Sequence, residues 1–130
     1  SRLNRIYCDN SLVDKAMADK YMNANPNVLV IYETKALESW WNSLPSFWKN
    51  LLTEQAMTSK KPTKEELHTI INIRTLKINH FIQDAEPISR LTNIEFLDIS
   101  DTKIDDLSPL YGLYNLKSLN IKNRGDIQNG

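Results

Sequence analysis

The chain has 130 residues and a mass of 15.1 kDa, with 41% hydrophobic side chains, enough to bury one core. Its 16 basic and 16 acidic side chains cancel, which argues against duplex nucleic acid as a partner, because such binding draws on a basic surplus that releases counterions. A single Cys rules out an internal disulfide, and no apolar run approaches the ~20 residues a membrane helix needs. No signal peptide is visible, and Ser1 in place of an initiator Met implies a processed or cut chain.

Residues 1–35 read as strand, helix, strand. Strands are predicted near 5–8 and 28–32. Between them Leu12, Val13, Ala16, Met17 and Tyr21 place apolar groups at helical spacing. Ile6 to Leu29 and Cys8 to Ile31 are each 23 residues apart, and Asn27–Lys35 aligns with Glu95–Lys103 at an offset of 68. The segment is therefore either two degenerate repeats or a strand–helix–strand cap. In the first case residues 33–72 become a helical insertion in a five-strand curved parallel sheet. Cys8 falls where an apolar residue would be buried, so it reads as a core filler rather than a thiolate.

Residues 36–69 read as a helical cap or insertion. A short helix is predicted near 35–42, and a second begins with Pro45 in its first turn. Trp40, Trp41 and Trp48 read as core and cap packing. Thr63 with Glu66 three residues on forms a capping box for a further helix. His68, beside acidic neighbours on that helix, is expected to be solvated.

Residues 70–130 carry the clearest internal repeat. Leu91, Ile94, Leu97 and Ile99 recur as Leu113, Leu116, Leu119 and Ile121 at an offset of 22, and Ile70, Ile73, Leu76 and Ile78 precede them at an offset of 21. The step Ala85-Glu86-Pro87-Ile88 recurs as Leu107-Ser108-Pro109-Leu110. Alternating Leu-x-Ile makes a short strand with both apolar residues on one face. The Pro step turns the chain back, so successive strands lie parallel, near 74–78, 95–99 and 117–121. One coil cannot bury its apolar face alone, and stacking solves that.

The stretch Asp98–Leu110 resembles a bacterial leucine-rich repeat of the internalin-like, 22-residue kind. Phe47–Leu52 and Pro62–Leu67 resemble the two helices of the cap that precedes such repeats, and Leu3–Leu12 resembles a cysteine-bearing repeat shortened by one residue. The resemblance covers roughly 44–123. It implies an α/β fold, a leucine-rich-repeat solenoid with short parallel strands in a curved sheet and a helical cap or insertion. It also implies a non-catalytic module that binds a protein partner through the open sheet face. Carbohydrate binding or adhesion is a narrower version. The alternative is a structural or regulatory segment of a larger surface or adhesion protein.

Chemistry is sparse. No phosphate-cradling glycine loop, zinc motif or CxxC is present, and His68 and His80 have no base or nucleophile at recognisable spacing, so no enzyme, cofactor or metal is expected. Asp98, Asp101, Asp105 and Asp106 lack the Gly and the bidentate Glu of a calcium loop, and read as turn formers. On the open face the expected contact residues are Tyr7, Val30, Tyr32, Lys77, Phe96, Asp98 and Asn120, with Arg5, Asp9, Val28, Thr75, Asn79, Ser100, Ser118 and Lys122 extending the rows. The polar tail 122–130, with Ile127 closing a further coil, is either a minimal cap or the start of more repeats. An uncovered end would favour self-association. No address separates cell surface from cytoplasm.

Overall fold

The computed structural model describes residues 3–121, and the chain divides into two compact units, 1–70 and 71–130. The first unit opens with strand β1 (Asn4–Tyr7), helix α1 (Lys15–Ala24) and strand β2 (Val28–Ile31). Asp14 starts α1 by accepting the Met17 N–H at 2.9 Å. The two strands pair in parallel, Asn4 opposite Val28 through Tyr7 opposite Ile31. Parallel neighbours need a crossover, and α1 supplies it.

The alternation expected of β2 fails. Leu29, Val30 and Ile31 are all buried, in one cluster with Ala18 and Met22 of α1. The unbroken Val-Leu-Val-Ile run is that of a parallel strand buried on both faces. The Val30 N–H donates to Met22 Sδ at 3.4 Å. Cys8 borders this cluster, half-buried, as a core filler would.

Helices α2 (Thr34–Ser43), α3 (Ser46–Ala56) and α4 (Lys64–Ile71) follow. Pro45 stands just outside α3 with φ −61° and ψ 155°, so the helix begins one residue later than its sequence suggests. Trp41, Trp48, Leu37, Leu51, Leu52 and Leu67 are buried, and Trp40 is half-buried. The capping box forms. Glu66 N donates to Thr63 Oγ1 at 3.1 Å, and Thr63 N donates to Glu66 Oε1 at 3.0 Å. Replacing Thr63 by Ala is expected to cost about 1 kcal/mol, read as a lowered denaturation midpoint; an unchanged midpoint would contradict the cap.

The second unit holds β3 (Thr75–Lys77), β4 (Phe96–Asp98) and β5 (Ser118–Asn120) in one parallel sheet. Leu76 lies opposite Leu97 and Leu97 opposite Leu119, the register demanded by the 21- and 22-residue offsets. Between strands the chain returns through 3-10 helices at Glu86–Arg90 and Ser108–Leu110, each with Pro in its first turn. Ile78, Ile88, Leu91, Ile94 and Ile99 are fully buried between coils.

The five-strand sheet does not form. β1–β2 and β3–β4–β5 are separate sheets, of two and three strands. The long helical segment 34–71 intervenes in sequence, and each sheet satisfies its own register. The expected tail cap, including Lys122 and Ile127, lies outside the described residues.

Candidate binding face

In the three-strand sheet the residues between buried Leu and Ile positions point to the open face, because strand side chains alternate. They form two rows across the strands. Thr75, Phe96 and Ser118 lie side by side, and so do Lys77, Asp98 and Asn120. Phe96, on the central strand, is 46% exposed. The Asp98 carboxyl is held below the ordinary carboxylate range by hydrogen bonds from Ser100, with Lys77 and Asn120 adding to the effect. Its Oδ1 accepts from Ser100 N at 2.9 Å. Asp98 therefore presents a fixed negative charge between a cation and an amide. Ser100, expected on the open face, is instead buried.

Two further rows follow the same period. Arg74 Nη1 and Glu95 Oε2 pair at 2.7 Å, and Lys117 Nζ lies 3.8 Å from Glu95 Oε1. Asn93 Nδ2 donates to Asn72 Oδ1 at 2.6 Å, and Asn115 Nδ2 donates to Asn93 Oδ1 at 3.1 Å. Both rows were present in the sequence at offsets of 21 and 22, but a search for apolar periodicity passes over polar residues. The asparagine ladder satisfies amides that stacking would otherwise bury without partners.

Two of the four aspartates, Asp98 and Asp106, act in turns as expected. Asp106 Oδ1 accepts from Ser108 N at 3.0 Å, the same two-residue step as Asp98 to Ser100.

Three of the seven predicted contact residues lie in the first unit, Tyr7 and Val30 on its strands and Tyr32 just after β2. Tyr7 is exposed on β1, and its hydroxyl donates to Glu65 Oε2 at 2.8 Å. That bond raises the phenol's pKa and lowers that of the carboxyl, since it favours neutral Tyr and ionised Glu. Val30 is buried in the α1–β2 cluster and offers no surface. Tyr32 is half-buried, with its ring 5.9 Å from that of His68. Tyr32 and Phe96 thus do not share one sheet.

His68 is not solvated but buried, with Nε2 3.0 Å from Thr34 Oγ1. Thr34 donates its hydroxyl to Asp9 Oδ2 and its backbone N–H to Asp9 Oδ1, both at 2.9 Å. Lys64 Nζ lies 3.7 Å from the same carboxylate. Thr34 opens α2, which has no side-chain cap of its own, and Asp9 satisfies that free N–H from 25 residues away. Burial raises the Asp9 pKa, but the two Thr34 hydrogen bonds and the charges of Lys64 and His68 outweigh it and hold the carboxyl below its usual range. The order Asp–Thr–His does not activate a nucleophile. The only hydroxyl hydrogen goes to the carboxylate, leaving the Thr oxygen to accept from His68. The three residues tie the turn after β1 to α2 and α4.

In the second unit short parallel strands recur at the 21- and 22-residue offsets and are joined by Pro-started 3-10 turns over a Leu and Ile core. A family model described as Leucine Rich repeats (2 copies) matches residues 71–112, which span β3, β4 and both 3-10 turns. That part of the second unit is similar to leucine-rich repeats. No curated protein matches the chain, and no solved structure matches it. Among the described residues no helix is long and apolar enough to cross a membrane.

Proposed function

We propose that the chain is a non-catalytic protein-binding module that engages its partner through the open face of β3–β4–β5. The observation that carries this reading is Phe96. It is an exposed aromatic at the centre of a sheet, ringed by Lys77, Asp98, Asn120, Thr75 and Ser118. An apolar anchor within a polar rim is the usual anatomy of a binding hot spot. Leucine-rich repeats generally serve such interactions, which agrees with this reading. Fold alone does not fix function; the exposed aromatic on the sheet face is what favours this one.

A second reading places the module as a structural or regulatory segment of a larger surface or adhesion protein. Tyr111 and Tyr114 favour it. They are 79% and 91% exposed, and both lie in the turn segment between the second 3-10 helix and β5 rather than on the strands.

Affinity capture from the native source separates the two. Partner recovery is expected to fall at least tenfold with Phe96→Glu and to persist with Tyr111→Ala/Tyr114→Ala, each variant first showing an unchanged unfolding transition. Retention by Phe96→Glu with loss by the tyrosine variant would move the contact to the turn side.

A further inference from the structure

Helices α2, α3 and α4 and the α3–α4 loop line a cleft of about 560 Å³. Trp41 of α2 and Leu67 of α4, both nearly buried, form part of its wall. Lys49 of α3 and Lys60 and Lys61 of the α3–α4 loop line it, with Glu38 as the sole acidic residue. None of the three lysines makes an ion pair among the described residues. Cations gathered in one cleft repel each other, and a cleft lined by one sign of charge concentrates the opposite ion.

The loop that carries two of these lysines is fastened. Met57 ends α3 in the left-handed conformation, φ 59°, which turns the chain sharply. Two residues on, Ser59 N donates to Glu66 Oε2 at 3.2 Å, and the Ser59 hydroxyl lies 2.8 Å from Glu66 Oε1 and 3.0 Å from the Lys61 carbonyl oxygen. The carboxylate that completes the capping box of α4 thus also clamps the lysine loop. Hydrogen bonds from Thr63 and Ser59 hold that carboxyl below its usual range. Part of the ordering cost of binding is met before a ligand arrives.

We propose that this cleft binds a phosphate monoester. Three ammonium groups against one carboxylate leave a charge of about +2, matched by a monoester dianion, which carries about −1.5 to −2 at pH 7. A carboxylate would neutralise only half of it. Lysine meets phosphate as a point charge and tolerates the varied approach an open cleft allows. The volume exceeds that of phosphate alone and falls within the range of small-molecule sites, so the ester's organic group has room beside Trp41 and Leu67. This site is separate in sequence from the sheet face and stands or falls independently of it.

The test is titration of the isotope-labelled full chain with phenyl phosphate, followed by amide and indole NMR shifts. The expected result is saturable shifts at Lys49, Lys60, Lys61 and the Trp41 indole, with affinity falling as salt rises. Phenyl sulfate, a monoanion, should bind several-fold more weakly. Lys60→Gln/Lys61→Gln should weaken phenyl phosphate binding by about tenfold per lysine removed. Lys60→Arg/Lys61→Arg should restore it, which a purely structural role for the loop would not produce. A phosphotyrosine peptide serves as the second arm. Tighter binding of the peptide would assign the monoester to a modified protein, and equal or weaker binding to a free small molecule. No saturable shift with phenyl phosphate, or equal binding by the Gln variant, overturns the proposal.

Discussion

Replacing Leu97 by Ala is expected to destabilise the repeat unit by about 2–5 kcal/mol, the usual cost of truncating a buried Leu. Leu97 is 2% exposed on the central strand, with Leu76 and Leu119 in register on either side. Neighbouring coils are held by backbone ladders, so they cannot collapse fully into the space, and the cavity persists. Leu119→Ala is the internal control. Leu119 sits at the equivalent position of β5 but is 36% exposed, so less apolar area returns to water and the loss should be smaller. Chemical denaturation with amide exchange on the second unit measures both. A Leu97→Ala change below about 1 kcal/mol, or a larger change at Leu119, would contradict the stacked register.

Thr34→Val is expected to cost the first unit about 1–3 kcal/mol at pH 7, since the hydroxyl satisfies both an ionised carboxylate and a buried imidazole. Valine has nearly the same shape, so the loss reports hydrogen bonding more than packing. The variant should also change the acid response. Asp9 titrates lower in the folded chain than its unfolded value of about 3.9. A depressed carboxyl stabilises above the unfolded pKa, and that contribution is lost as pH falls through the folded one. The stability difference between wild type and Thr34→Val should therefore narrow as pH drops below about 4. Glu65, Glu66, Asp98 and Asp106 are lowered too, so both proteins lose stability in acid. Parallel profiles down to pH 3 would mean that Thr34 does not set the Asp9 carboxyl.

Much of the fold was legible because its causes are local or periodic. The positions of all five strands and of the helices followed from apolar spacing, and the Thr63–Glu66 box from a four-residue motif. Lys77 beside Asp98 followed from the repeat offset alone. The exposure of the open sheet face was legible in the second unit, where Thr75, Lys77, Phe96 and Ser118 are exposed. It failed at Val30 and Ser100. Strand alternation would expose Val30, whereas α1 and the cluster around β2 bury consecutive residues. At Ser100 the strand had already ended, and the turn that follows it folds the residue inward.

What the sequence determined by itself is the set of elements and the parallel, one-coil register of residues 71–121. A fixed period leaves only one way to line up Leu76, Leu97 and Leu119. The tertiary structure decided how the early strands are used. Pair offsets relate β1 to β2 and β3 to β4 equally well, but hydrogen bonding closes them as two separate sheets. It also decided the fate of His68, Thr34 and Asp9. They lie 25 to 59 residues apart, so no local pattern could reveal them as one buried network. Long-range polar satisfaction depends on where helices come to rest, and that is settled only when the core packs.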